Sequence, residues 1–163
     1  MPPSHLENIR DWLNRESVAI REVHHQPTFT SEESARARGE ELRVGGKALL
    51  MRGDANFALF VLPADRKVDS GAIRRELGLG KLRFASREEL VELTGLVPGS
   101  VPPFGPPILP FPLYVDVAIE SNDRIAFNAG SLMDSMILPI LDYLRVASPA
   151  KIFAFSVPGT GPR

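Results

Sequence analysis

Between Val97 and Pro112 the chain reads VPGSVPPFGPPILPFP, and seven of its fifteen prolines fall there. Proline lacks the N–H that a helix or sheet ladder needs, so this stretch is neither a helix nor a central strand. It also holds Val101, Phe104, Ile108, Leu109 and Phe111, which makes it too apolar for a solvated linker. An ordered, stiff loop packed on the core is expected, with the other elements built around it.

Those elements have 163 residues to work with, 44% of them hydrophobic. That suits a single domain over 1–163 with one core. The chain has no cysteine, which excludes a disulfide scaffold, a thiolate metal site, an iron–sulfur cluster and a protein thiol nucleophile. A formal charge of -1 excludes a generally basic nucleic-acid coat and leaves only local patches for anions. The N-terminus lacks a basic segment followed by an apolar run, and no apolar run approaches the ~20 residues that span a bilayer. A cytoplasmic location away from membranes is expected.

Capping signals mark the helices. Ser4 with Glu7 opens one that carries Leu6, Ile9 and Leu13 at helical spacing. Thr30 or Ser31 opens a second that ends at Gly39, Asp69 a third through Leu77, and Ser86 with Glu89 a fourth ending near Thr94-Gly95. Pro139 leads a fifth, Ile140 to Arg145. Strands are expected at Val18 to Val23, Lys47 to Arg52, Phe57 to Leu62, Leu113 to Ile119, Arg124 to Phe127, Ser135 to Leu138 and Lys151 to Val157. Gly53-Asp54-Ala55-Asn56 reads as the turn of an antiparallel hairpin. Short connections between strands favour an α+β fold with a mixed, largely antiparallel and barrel-like sheet surrounded by helices. The last strand either completes the sheet or pairs with a second copy, and the oligomeric state stays open.

Several chemistries are missing. The sequence has no phosphate-binding GxxxxGK[ST] loop, no GxGxxG, no HExxH and no GxSxG. Adjacent His24 and His25 point to opposite faces of a strand end, which disfavours a shared metal. No metal or cofactor is implied. Three places stand out. Lys47, behind Gly45-Gly46 and ahead of an apolar strand, either snorkels or sets a cation at a cleft rim. Gly99-Ser100-Val101, stiffened by Pro102 and Pro103, is either a rigid surface turn or a row of N–H groups converging on an oxygen. Asn128-Ala129-Gly130-Ser131 ends an apolar strand and reads as a turn.

In this order, Thr30-Ser31-Glu32-Glu33, Gly46-Lys47-Ala48-Leu49, Leu82-Arg83-Phe84-Ala85-Ser86, Gly99 to Gly105 and Phe127-Asn128-Ala129-Gly130 resemble the YbaK-type aminoacyl-tRNA deacylases. These are relatives of the editing domain inserted in bacterial prolyl-tRNA synthetase. The resemblance runs from about Thr28 to Arg145. It implies a free-standing hydrolase that cleaves the ester joining a wrong amino acid to the 3′-terminal adenosine of a tRNA, tRNA-Pro or a related one. Lys47 and the amides of Gly99, Ser100 and Val101 would serve catalysis. Thr30, Pro103, Phe104, Gly105, Asn128, Ala129, Gly130 and Ser131 would hold the aminoacyl end, with Val101, Phe104, Ala129 and Gly130 as pocket walls.

Alanine-clearing members carry a histidine where this chain has Asn128, so the free-standing branches are the nearer match. Arg74, Arg75, Lys81 and Arg83 form a basic stretch that is either a solvated helix face or a patch for the acceptor stem. A synthetase partner is left open. The alternative reading is a tRNA-binding module that does not cleave its ligand.

Overall fold

The structure, a computed structural model, describes residues 2–160; residue 1 and residues 161–163 of the expected domain lie outside them. Helix α1 (His5–Arg15) starts where Ser4 accepts from the Glu7 N–H, and it buries Ile9, Trp12 and Leu13. After β1 (Arg21–His24), helix α2 (Ser31–Arg38) is capped by Thr30, which accepts from the Glu33 N–H, and closed by Gly39 at φ 71°. Strands β2 (Gly46–Gly53) and β3 (Asn56–Pro63) form the expected hairpin, in register from Gly46 opposite Pro63 to Gly53 opposite Asn56. Next come β4 (Arg66–Val68), α3 (Ser70–Leu77) with Asp69 as its cap, and β5 (Leu82–Phe84). Helix α4 (Arg87–Thr94) carries a complete Ser86–Glu89 capping box. The proline loop leads into β6 (Leu113–Asp116), β7 (Arg124–Asn128), β8 (Asp134–Pro139), α5 (Ile140–Ala147), β9 (Lys151–Phe153) and β10 (Ser156–Pro158).

The fold is α+β, with five α-helices and mixed sheets among the described residues. A five-stranded sheet runs β5-β2-β3-β6-β9, a three-stranded sheet β1-β8-β7, and β4 pairs with β10. Most pairs are antiparallel, but β3 with β6 and β6 with β9 are parallel. A parallel bridge from Gly45 to Ala126 joins the two larger sheets. The glycines explain how close they come. A Cβ on Gly46 would lie 2.4 Å from Ile125 Cδ1, and one on Gly45 3.1 Å from Ala64 Cβ. Gly45-Gly46 therefore serves the approach of β7 to the start of β2, and that approach places Lys47 beside the end of β7.

The proline loop lies on the core as expected, with Val101, Phe104, Leu109 and Phe111 buried. Three expected strands differ at their ends, each for a local reason. The strand from Leu113 stops at Asp116, whose carboxylate accepts from the Ala118 N–H and starts a 3₁₀ turn over Val117–Ser121. The same carboxylate accepts from the Phe155 N–H at 2.7 Å and the Ser156 hydroxyl at 2.7 Å. That diverts the C-terminal segment, so Lys151 to Val157 splits into β9, beside β6, and β10, beside β4. Strand β1 begins at Arg21 instead of Val18, and Val18 packs in the core. Among the described residues, no helix is long and apolar enough to cross a membrane.

Candidate active site

A small pocket opens where the start of β2, the inner face of α2, the Gly99–Val101 turn and the end of β7 meet. Lys47, Gly99, Val101 and Asn128 line it together, as the sequence led one to expect. Ser31, Ser34 and Arg38 line it too. Their i, i+3, i+7 spacing sets all three on one side of α2. This polar stripe is the signal that sequence reading passed over. The pocket's interior is about 30 Å³, room for roughly one water-sized group.

Lys47 is 7% exposed. Burial lowers its pKa below the ordinary lysine value, and the nearby carboxylates of Glu32 and Asp65 act against that shift. Among the described residues no carboxylate pairs with it as a salt bridge, so its ammonium is held by field rather than by contact.

The Gly99–Val101 turn is clamped peptide by peptide. Gly99 sits at φ 89°, a conformation that strains any side chain. In the Gly99–Ser100 peptide, the carbonyl accepts from Asn128 Nδ2 at 2.8 Å and the N–H donates to the Val97 carbonyl at 3.1 Å. In the Ser100–Val101 peptide, the carbonyl accepts from the Gly130 N–H at 3.0 Å. A trans peptide points its N–H opposite to its C=O, so the Val101 N–H is turned away from Gly130. Among the described residues no acceptor meets it. Buried N–H groups without an acceptor are rare, and Val101 is among the residues that line the pocket. Ser100 is 2% exposed, and its hydroxyl donates to the Val97 carbonyl at 2.8 Å. Of the three expected amides, that of Ser100 is tied into the turn, while Gly99 and Val101 are residues of the pocket lining.

Asn128 is held in turn by a buried network. Arg38, 6% exposed, donates from Nη2 to Asn128 Oδ1 at 3.0 Å and from Nε to Ser135 Oγ at 2.9 Å. Ser135 Oγ lies 3.2 Å from Asn128 Oδ1 and 2.8 Å from His25 Nε2, with one proton to give. His25 Nδ1 faces the Gln26 carbonyl at 2.8 Å, and that carbonyl can only accept, so Nδ1 carries a proton. His24 turns the other way, onto Asp134 at 2.7 Å.

The remaining expected residues are not brought to the pocket. Thr30 is exposed and caps α2. The Pro103 carbonyl accepts from the Tyr143 hydroxyl at 2.7 Å. Phe104 is fully buried against Trp12, Phe127 and Tyr143, with ring centroids 5.1, 5.3 and 5.5 Å away. A Cβ on Gly105 would lie 2.7 Å from the Phe111 carbonyl oxygen. Ala129 is fully buried. Gly130, at φ 74°, faces α1, where a Cβ would lie 2.8 Å from His5 Cβ. Ser131 donates to Asp134. These positions shape the surroundings of the pocket and not its wall.

Ala48, Gly99 and Val101 also line a second cavity, an apolar groove of about 210 Å³ whose other walls include Leu50, Ala85, Leu90 and Pro98. The basic stretch lies further along the sheet. Strand β5 pairs with β2 at Met51 to Gly53, about 16 Å from Lys47 at roughly 3.3 Å per residue. Arg74, Arg75 and Lys81 are exposed there. Arg83 is engaged by both oxygens of Glu89, at 2.7 and 3.0 Å, and this pairing holds the Glu89 pKa down at about 2.

Residues 25–146 match the aminoacyl-tRNA editing domain family. The chain is 38% identical over 143 residues to the multifunctional Ser/Thr-tRNA deacylase ProXp-y of Escherichia coli strain K12, covering 84% of each protein. It is also 37% identical over 100 residues to a proline–tRNA ligase of Shouchella clausii, covering 61% of this chain and 17% of that enzyme. The crystal structure of the hypothetical protein APE2540 shares the fold, with a TM-score of 0.83 at 23% identity over 93% of this chain and all of that one. The chain belongs to the aminoacyl-tRNA editing family. Its class is aminoacyl-tRNA deacylase, a hydrolase.

Proposed function

We propose that the protein is a free-standing editing enzyme that removes small hydroxylated amino acids, serine and threonine first, from the 3′ end of a tRNA. The observation that supports this best is the pocket itself. A buried lysine and an N–H without a protein acceptor share a cavity whose other side carries Ser31 and Asn128. That cavity is too small for a large side chain and polar enough for a hydroxyl. The E. coli relative acts on Ser/Thr-tRNA by name, which agrees with this chemistry.

An aminoacyl ester is already activated, so hydrolysis needs neither a protein nucleophile nor a metal. Water attacks the ester carbon, forming one C–O bond, and the bond to the ribose oxygen breaks. The proton that water gives up leaves with that ribose oxygen. The tetrahedral intermediate carries an oxyanion, which the Val101 N–H meets directly and the Lys47 ammonium stabilises by charge. One such donor contributes about 10²–10³ in rate. In this reading the apolar groove past Val101 receives the terminal adenosine, and Arg74, Arg75 and Lys81, exposed further along the sheet, meet the acceptor stem. Arg83, paired with Glu89, adds less.

The test is amino-acid release from a single tRNA charged in turn with serine, threonine, alanine and proline, with small aminoacyl esters alongside. Serine and threonine should leave fastest, and esters without adenosine should react far more slowly. Release of proline at the rate of serine would refute the selectivity.

A further inference from the structure

Arg38 plays no part in the chemistry above, yet it is buried at the pocket's edge and reaches two elements far away in the chain, Asn128 and Ser135. We propose that Arg38 is the positioning residue of the ester-binding turn: it fixes which way the Asn128 amide faces, and through that amide the direction of the Val101 N–H. This rests on the editing reading above.

The reasoning is one of donors and acceptors. A guanidinium has five donors and no acceptor. The Asn128 atom that meets Arg38 Nη2 at 3.0 Å must therefore be the oxygen. The amide nitrogen then faces the other way and donates to the Gly99 carbonyl at 2.8 Å. Ser135 alone does not enforce this orientation, because a hydroxyl serves an amide oxygen and an amide nitrogen equally well. Without Arg38 the Gly99 carbonyl, which can only accept, still favours the amide nitrogen, but Asn128 Oδ1 loses its guanidinium donor and keeps the Ser135 hydroxyl, so the side chain is held less firmly. The turn then loses the firmness of one of its clamps, and the Val101 N–H is less sharply aimed even though the Val97 and Gly130 contacts remain. Lys47 lies outside this network, so the ground-state contact it makes is kept. The loss is therefore expected in kcat and not in KM.

Asn128→Asp separates this role from a merely structural one. The aspartate keeps an oxygen for Arg38, and gains an ion pair with it, while the donor to Gly99 is gone. The experiment measures kcat and KM for release of the best amino acid by wild type, Arg38→Met, Asn128→Asp and the double variant. The ¹H–¹⁵N resonance of the Val101 amide is followed in the same proteins. Each single variant is expected to lose about 100-fold in kcat, the value of a misdirected oxyanion donor, with KM held within about threefold. The double variant should be no slower than the slower single, since both changes release one clamp. The Val101 amide resonance should move in all three.

Wild-type kcat in Asn128→Asp, losses that multiply in the double variant, or a Val101 resonance that stays in place would each overturn the proposal. Where Arg38→Met fails to fold, Asn128→Asp carries the test. If wild type released no amino acid from any tRNA, the editing reading would fall, and the Val101 resonance would still decide the positioning role.

Discussion

Phe104 lies inside the loop motif that resembles a substrate-binding element, yet its ring is fully buried among Trp12, Phe127 and Tyr143. Phe104→Leu asks which of these facts governs. Each edge-on or tilted ring pair contributes about 0.5–1.5 kcal/mol beyond area burial. Leucine refills part of the space, so the net cost comes to about 2–3 kcal/mol, within the range of core substitutions. For a domain of this size 1 kcal/mol moves Tm by about 2–4 °C, so a fall of about 4–12 °C is expected. Thermal unfolding followed by circular dichroism reads the stability, and release from a panel of aminoacyl-tRNAs reads the selectivity. The order of preferred amino acids should be that of wild type at temperatures where both proteins are folded. A changed order with Tm within about 2 °C of wild type would place Phe104 in the pocket wall and refute the packing argument.

Three further outcomes follow from the same geometry. Lys47→Met should raise Tm at neutral pH while abolishing release, because burial disfavours the ammonium in the folded state. Below the folded-state pKa both states hold the proton and the full cost stands; it falls as pH climbs toward the ordinary 10.5 and vanishes above it, so the variant's gain should shrink over that range. Gly130→Ala, at φ 74° and against His5, should cost about 1–3 kcal/mol in urea unfolding and leave the amino-acid preference unchanged. Replacing Arg74 and Arg75 together with alanine should lower the slope of log KM against log salt by about 1.4–1.8, the value for two lost phosphate contacts; an unchanged slope would remove both from the tRNA path.

Much of this fold was readable from local chemistry. Thr30 with Gly39, Asp69 with Gly78, and Ser86 with Glu89 and Gly95 bound their helices as expected, because a cap is decided by neighbours in sequence. The hairpin from Gly46 to Pro63 was equally legible. Strands β4 and β5 were not, since three residues are too few to show alternation. Neither was the break in the C-terminal strand, which depends on the Asp116 carboxylate about 40 residues earlier.

The site divides in the same way. Lys47, Gly99, Val101 and Asn128 do meet, as the motifs led one to expect. A motif read in one dimension does not say which of its residues face inward. Phe104, Ala129 and Gly130 therefore looked like pocket walls until their packing was seen. Arg38 was invisible because its partners lie 90 and 97 positions away. Only the closure of the second sheet onto the first brings them together.

The most direct test of the central claim is single-turnover release of labelled amino acid from tRNAs charged with alanine, serine, cysteine and threonine, by wild type and by Lys47→Ala. Fast release of serine or threonine by wild type, slowed at least about 100-fold in the variant, is the expected result. No release from any of the four by wild type, with tRNA binding intact, would contradict the claim and leave a protein that grips tRNA without cleaving it.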